Sequence, residues 1–222
     1  HFSRHSSANN HLFGELMGLF VAAVTWPCWS ESANWRRQAQ HELEAEASRQ
    51  NAPDGVNREQ AIWYHHEVAD MMLLAGLTAR AAGTDFGGAY WQRLEAMLAF
   101  VHQLMNTTGH VPMIGDADDA VMVRFVPRDD FNVYRSLLAT GAVIFDRADF
   151  ARGADSFDEK SRWLLGGVAS MRFGELRQRR IPPAEAAPAT GRGFPDGGYF
   201  VMGDRFGRSD EVKMIVDAGP LG

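Results

Sequence analysis

The chain has 222 residues, of which 45% are hydrophobic and 23% charged, and that composition excludes a disordered tail, a coiled coil and a collagen-like chain. Its length suits one large domain, or one domain with part of a second, and such a chain buries roughly 70% of its unfolded surface. A formal net charge of −6 argues against a general nucleic-acid binder, and Cys28 alone allows neither an intrachain disulfide nor a cysteine-based metal knuckle.

The sequence opens on His1 and closes on Gly222 directly after a strand-like run, so the chain reads as a fragment of a longer protein. Apolar residues at spacings of three and four (Leu12, Leu16, Leu19, Phe20, Ala23) predict a first helix over about Asn10–Ala23. The nearly apolar run Leu16–Trp29 contains Gly18, Thr25 and Pro27, and it falls short of the ~20 apolar residues of a membrane span. Cys28, set between Pro27 and Trp29, is expected to be packed rather than nucleophilic. A second helix, Ala33–Gln50, should bury Trp35, Ala39 and Leu43 and show Glu42, Glu46 and Arg49 to water.

Asn51-Ala52-Pro53-Asp54-Gly55 must be a turn. Asn57 with Gln60 three residues on reads as the cap of a third helix reaching Ala82. A fourth helix spans about Phe86–Met105, and a polar loop covers His110–Asp130. Two further helices are expected at Phe131–Phe145 and Ser156–Phe173. From Arg179 the texture changes: Ile181–Pro188 is a Pro/Ala linker, and strands follow at Gly198–Met202 and Glu211–Val216. The fold class is therefore mainly α, a layer or toroid of paired helices followed by the first strands of a β domain. The division is residues 1–180 helical, 181–193 linker and 194–222 β.

Four places carry candidate chemistry. Asn9-Asn10-His11 opens the first helix, where an asparagine usually caps, but Glu15 shares a face with His11 and could orient its imidazole. Trp63-Tyr64-His65-His66 lies in the third helix, where a core stripe with two partly exposed histidines competes with a proton-transfer role for Tyr64 beside Gln60 and Glu67. The missing His-Glu-x-x-His pattern rejects a helical zinc site. Asp116-Ala117-Asp118-Asp119 resembles the start of a calcium loop, yet Val121 and Pro127 occupy the places of the required glycine and glutamate. Those aspartates are turn residues or a carboxylate pair for hydrolysis or sugar contacts. Arg4, Arg124 and Arg128 are candidate anion contacts or ordinary solvated cations. No Gly-x-Ser-x-Gly or P-loop is present, and Gly191-x-Gly193 lacks a dinucleotide-binding context.

Taken in order, these segments resemble the heparinase II/III family of polysaccharide lyases. The matching stretches are Ser7–Leu12 with Gly14-Glu15, Asp54–Val56 with Glu59-Gln60 and Tyr64, Pro112–Asp119, Phe157–Gly166, and Phe194–Tyr199 leading to Asp217–Gly222. The resemblance implies an incomplete (α/α) toroid followed by a β-sandwich. It also implies cleavage of uronic-acid polysaccharide by β-elimination. On the family pattern Asn10 would neutralise the uronate carboxylate, and Tyr64, 54 positions later, would act as general acid and as a candidate base. His11, Glu15, Gln60 and Asp116 are the expected substrate contacts. No cofactor is expected within these residues; a metal, like further catalytic groups, would belong to the β domain past Gly222. The expected partner is an anionic polysaccharide, with no nucleic acid and no membrane span. Bacterial periplasm and cytoplasm both stay open as locations. The alternatives are an (α/α)-toroid glycoside hydrolase using Asp116 with Asp118 or Asp119, and a polysaccharide-binding relative without turnover.

Overall fold

The computed structural model describes residues 2–5, 7–117, 120–125, 130–181 and 191–220. Among them the chain forms α1 (Asn10–Thr25), α2 (Ser32–Gln50), α3 (Ile62–Ala81), α4 (Gly88–Leu104), α5 (Val133–Ile144), α6 (Ala148–Ala154), α7 (Glu159–Leu165) and α8 (Ala169–Gln178). The strands β1 (Gly191–Phe194), β2 (Tyr199–Asp204) and β3 (Val212–Asp217) complete it. The protein is thus mainly helical, with a small antiparallel sheet.

α1 packs on α2 and α3, α2 reaches α4, and α4 touches α5 and α6. The buried stripe of α1 is Leu12, Leu16, Phe20 and Ala23, which returns every three or four residues and therefore lies on one face. α2 buries Ala39, Leu43 and Ala47, but Glu46 is buried with them rather than solvated. Its carboxylate accepts from Gln50 Nε2 at 2.9 Å and pairs with Arg49, so the burial is compensated. Cys28 is likewise corrected: it is a free, exposed thiol in the turn between α1 and α2, because Trp26 and Trp29 also point outward.

α3 is the central helix, and the run His65–Leu73 is buried without interruption. Both histidines are inside, not partly exposed. His65 Nδ1 accepts from the Asn57 N–H at 3.4 Å and Nε2 faces the Met97 carbonyl at 3.1 Å, which fixes a neutral imidazole with its proton on Nε2. α3 starts four residues later than the Asn57 cap predicts. Asn57 spends its amide inside the preceding loop, donating to Asn51 Oδ1 at 3.0 Å and accepting from the Glu59 N–H at 3.0 Å. Gly55 has φ +93° and faces the α4 backbone so closely that a Cβ would collide with Ala96, so only glycine lets this loop lie on α4.

The segment expected as one helix over Ser156–Phe173 is two, α7 and α8. Gly166 caps α7 at φ +79° and leaves the helical region, and Gly167 follows. Asp158 caps the start of α7, accepting from the Ser161 N–H at 3.1 Å. α6 was not foreseen; its seven residues make about two turns, too few for a helical period to emerge.

β1, β2 and β3 lie in that order, with Phe194 opposite Tyr199, and Phe200 and Met202 opposite Val216 and Met214. β1 begins inside the stretch read as linker. Tyr199 and Val201 are buried while Phe200 and Met202 face out, the alternation of a one-sided sheet. The inner face joins the helical core: Phe100 of α4 meets Phe194 and Tyr199 edge to face at 4.9 and 5.1 Å. Lys213 Nζ adds a 2.7 Å bond to the Met105 carbonyl at the end of α4.

Candidate functional site

The start of α1 is held by a carboxylate from a distant loop. Glu59 Oε1 accepts from the Asn10 N–H at 2.9 Å and Oε2 accepts from Asn9 Nδ2 at 3.2 Å. Both bonds place negative charge at the positive end of α1. Asn9 Oδ1 in turn accepts from the His11 N–H at 3.3 Å, so Asn9, not Asn10, is the cap. That leaves the Asn10 side chain outside the capping network. It is half-buried, and among the described residues its Oδ1 is buried without a hydrogen-bond partner.

Glu59 itself was not singled out from the sequence, although Glu59-Gln60 stood in the matching stretch. Desolvation raises its pKa above the usual glutamate value, against the lowering effect of the two N–H bonds and of nearby His11. The signal that could have found it is a carboxylate in a turn between two apolar-periodic segments, where burial is set only by what packs over the loop.

The same loop runs from Glu59 through Gln60 and Ala61 into α3, where Tyr64 is the third residue, half-buried in the first turn. Asn10 and Tyr64 therefore open two helices whose N-terminal ends are tied through one loop. Ile114 and Ala120 meet this end as well. Ile62 N–H donates to the Ile114 carbonyl at 3.0 Å, and Trp63 Nε1 donates to the Ala120 carbonyl at 3.1 Å. Gly115, at φ +76°, packs on Gln60 and Ala61, and Asp116 next to it is exposed. Asp118, Asp119 and Arg128 lie outside the described residues.

Gln60 does not share a helical face with Tyr64. It precedes α3 in a left-handed turn, φ +56°, and donates from Nε2 to the Gly197 carbonyl at 3.2 Å. Its Oε1 is buried and unbonded among the described residues. Beside it Asp54 accepts from the Asp196 and Gly197 N–H groups at 2.7 and 3.0 Å, so the β1–β2 turn is clamped to the loop that feeds α3. His11 is exposed, and Glu15 does not orient it. The Glu15 carboxylate accepts instead from the Ser3 N–H and Oγ, each at 2.7 Å, which pulls its pKa down.

Two clefts, of about 280 and 600 Å³, lie elsewhere, at the start of α5 and between the end of α4 and the β2–β3 turn. Neither is lined by Asn10 or Tyr64. The starts of α1 and α3 instead carry a half-buried asparagine whose buried amide oxygen is unbonded among the described residues and a half-buried phenol in a helix's first turn, while His11 and Asp116 are exposed. Among the described residues no group of three or more His, Cys, Asp or Glu could hold a metal ion, and no helix is long and apolar enough to cross a membrane.

Comparison with known proteins gives one consistent result. The model of the heparinase II/III N-terminus matches residues 1–137. A curated relative, the heparin-sulfate lyase of Pedobacter heparinus, is 26% identical over 117 residues, covering 52% of this chain and 18% of that protein. Among solved structures, the heparan sulfate lyase HepC from Pedobacter heparinus superposes with a TM-score of 0.65 at 19% identity, over 99% of this chain and 29% of that one. A heparinase III structure gives 0.63 at 16% identity, over 97% and 30%. The chain thus spans less than a third of the length of each of these relatives, and with them shares the helical layer and the short sheet. With more than half of its residues matched by the family model, the chain belongs to the heparinase II/III family of polysaccharide lyases.

Proposed function

We propose that this chain is the helical, N-terminal part of a lyase that cleaves uronate-containing, anionic polysaccharide by β-elimination. On this reading the helices belong to an (α/α) toroid and the sheet is the first edge of a β-sandwich, with the division near residues 180 and 194. Heparan sulfate is the first substrate to test, since the lyase of one superposed structure is named for it.

The chemistry explains the residue types. Removing the C5 hydrogen of a uronate places a second negative charge beside an ionised carboxylate, and this is the barrier. Asn10 binds that carboxylate, and an amide N–H donated to it gains strength as enolate charge develops. A base takes the C5 proton, the freed electron pair forms the C4–C5 double bond, and the C4–O bond breaks. Tyr64 delivers its phenolic proton to the departing oxygen; as the base as well, it would enter as the phenolate, take the C5 proton and pass that same proton to the departing oxygen. The exposed His11 and Asp116 are the side chains offered to the sugar hydroxyls, while Gln60 and Glu15 hold the surrounding chain through Gly197 and Ser3.

The observation that carries this reading is Asn10. Its backbone is fixed by Glu59, the capping duty is done by Asn9, and its buried amide oxygen is left unbonded among the described residues. Such a group costs stability and so calls for an explanation, and turning the amide about its last bond offers an N–H donor from the same place.

The test is product analysis with the intact protein on heparan sulfate, alginate and other polyuronates. Elimination leaves a 4,5-unsaturated uronate that absorbs in the ultraviolet, whereas hydrolysis by an aspartate pair leaves a saturated sugar. Tyr64→Phe should lower kcat by ~10²-fold or more with an unchanged melting temperature, as for a lost general acid. Wild-type kcat in that variant would end the assignment of Tyr64.

A further inference from the structure

The larger cleft, about 600 Å³, opens between the end of α4, the end of α6 and the β2–β3 turn, and no role above uses it. Three cations line it, Arg135, Arg152 and Lys213, together with two carboxylates, Asp155 and Glu211. By sign alone these groups nearly cancel, but the distances show that they do not pair. Asp155 lies nearer to Arg177, at 3.3 Å and outside the cleft, than to Arg135, at 3.6 Å. Glu211 spends its oxygens on the Thr107 and Gly207 N–H groups, at 3.2 and 3.0 Å, and stays 4.0 Å from Lys213.

The cations are therefore held without close counter-charge. Arg152 bonds the backbone carbonyls of Arg177 and Arg179, at 3.3 and 2.7 Å, and Lys213 Nζ bonds the Met105 carbonyl at 2.7 Å. Arg135 reaches the Thr107 carbonyl at 3.4 Å, and its Nε, set against Gly109, has no partner among the described residues. Elsewhere arginines are closely paired, Arg147 with Asp149 at 2.6 Å and Glu95 at 2.8 Å, and Arg179 with Asp146 at 2.6 Å. Lys213 is partly buried, and that burial lowers its pKa with Glu211 opposing, so its charge is costly where it stands. Three such cations around one hollow, on a chain of net charge −6, select an anion.

Volume and walls narrow the ligand. A cleft of this size suits a small organic molecule and is too roomy for a lone inorganic oxyanion. Phe206 forms part of the wall, with Lys213 Nζ 5.6 Å from its ring centroid, so an aromatic ring and a cation border the same space. A pyranose meets such a wall with its C–H bonds on the aromatic side and a carboxylate or sulfate toward the cations. Gln103 and Asn106, also in the wall, offer amides to its hydroxyls.

We propose that this cleft is a second saccharide site, separate from Asn10 and Tyr64, which takes one acidic sugar residue, a uronate or a sulfated pyranose, and holds its anionic group with Arg135, Arg152 and Lys213. The inference rests on the polysaccharide reading above, but its test does not depend on turnover.

The experiment is calorimetric titration of the intact protein with a sulfated uronate disaccharide, with a neutral disaccharide and with inorganic sulfate. It is run in an Asn10→Ala, Tyr64→Phe background, so that no ligand is consumed and the other end of the fold contributes least. Arg135→Gln, Arg152→Gln and Lys213→Gln are each compared with Arg172→Gln, an equal change of charge outside the cleft, with melting curves in parallel. The site predicts that the acidic disaccharide binds better than the neutral one and better than sulfate. Each cleft variant should weaken it about tenfold or more, as for a lost charge-assisted hydrogen bond, and Arg172→Gln should leave it unchanged. If Lys213→Gln lowers the melting temperature, the exposed Arg152 carries the test. Equal affinity in the parent and the three cleft variants would overturn the proposal. So would an equal loss in Arg172→Gln, sulfate binding as tightly as the disaccharide, or failure of the parent to bind the disaccharide. Unsaturated product from the unmodified protein with no cleft-dependent binding would leave the lyase reading standing and remove the site. Cleft-dependent binding with no such product from any polyuronate would do the reverse.

Discussion

Two neighbours relieve the Asn10 side chain of structural work, which leaves it available for the role proposed above. Asn9 caps α1, and Glu59 holds the Asn10 N–H, so the side-chain amide is not consumed at the helix start. Glu59→Gln tests that division. A glutamine keeps one acceptor but turns an N–H toward Asn9 Nδ2, so one of the two bonds is lost. The expected outcome is a fall in kcat of about tenfold through misplacement of Asn10, with little change in melting temperature. Asn10→Ala should lower kcat further, because it removes the hydrogen bond that strengthens in the transition state. Unchanged kcat in Glu59→Gln would make the carboxylate a helix clamp only.

The helices are placed by a few buried polar contacts as much as by apolar stripes. The Lys160–Asp70 pair is the clearest, since α7 is only seven residues long and has little apolar surface with which to bind α3. Lys160→Met strands the Asp70 carboxylate in the core and should cost about 3–5 kcal/mol in urea unfolding at neutral pH. The double variant Lys160→Met with Asp70→Leu should recover most of that loss, because no buried charge remains. The turn before α3 is a second such element: Asp54 and Gln60 both bond the β1–β2 turn, and the left-handed Gln60 is held there by that contact.

Across the whole molecule, acid sensitivity should come from the core. His65 is fully buried and neutral; desolvation is the largest cause of its pKa falling to about 4, and the Met97 carbonyl opposes it only in part. His102 is lowered for the same main reason despite Asp149 beside it. An unfolded histidine takes a proton near pH 6.5, so these groups stabilise the fold above that pH, and the stability drains as pH falls from there toward about 4. For His65 the loss approaches about 3 kcal/mol by the bottom of that window. Glu59 works in the opposite sense, since its raised pKa makes its ionisation a cost that disappears in acid. Urea titrations between pH 8 and pH 4 should therefore show declining stability. His65→Gln should be less stable at pH 8 but show a shallower decline. An equal slope in both proteins would remove His65 as the cause.

How much of this was legible in the residues follows from the range of the forces involved. Periods of three and four placed α1, α2, α4 and α5 to within a few residues, because the pattern reflects which face is buried and needs no knowledge of the partner. The alternation in β2 and the order of short matching stretches were local in the same way, and they carried the family. What sequence could not reach were decisions made by contacts between distant segments. Asn57 was drawn into a buried loop by Asn51 and lost its capping role, Glu46 was sealed inside by Gln50 and Arg49, and Gln60 was turned toward Gly197, 137 residues away. The candidate site divides along the same line. The family resemblance pointed to Asn10 and Tyr64, while the tertiary fold alone decided that Glu59 would anchor one and that a single loop would join the two, because a carboxylate's partners are chosen by what packs over it.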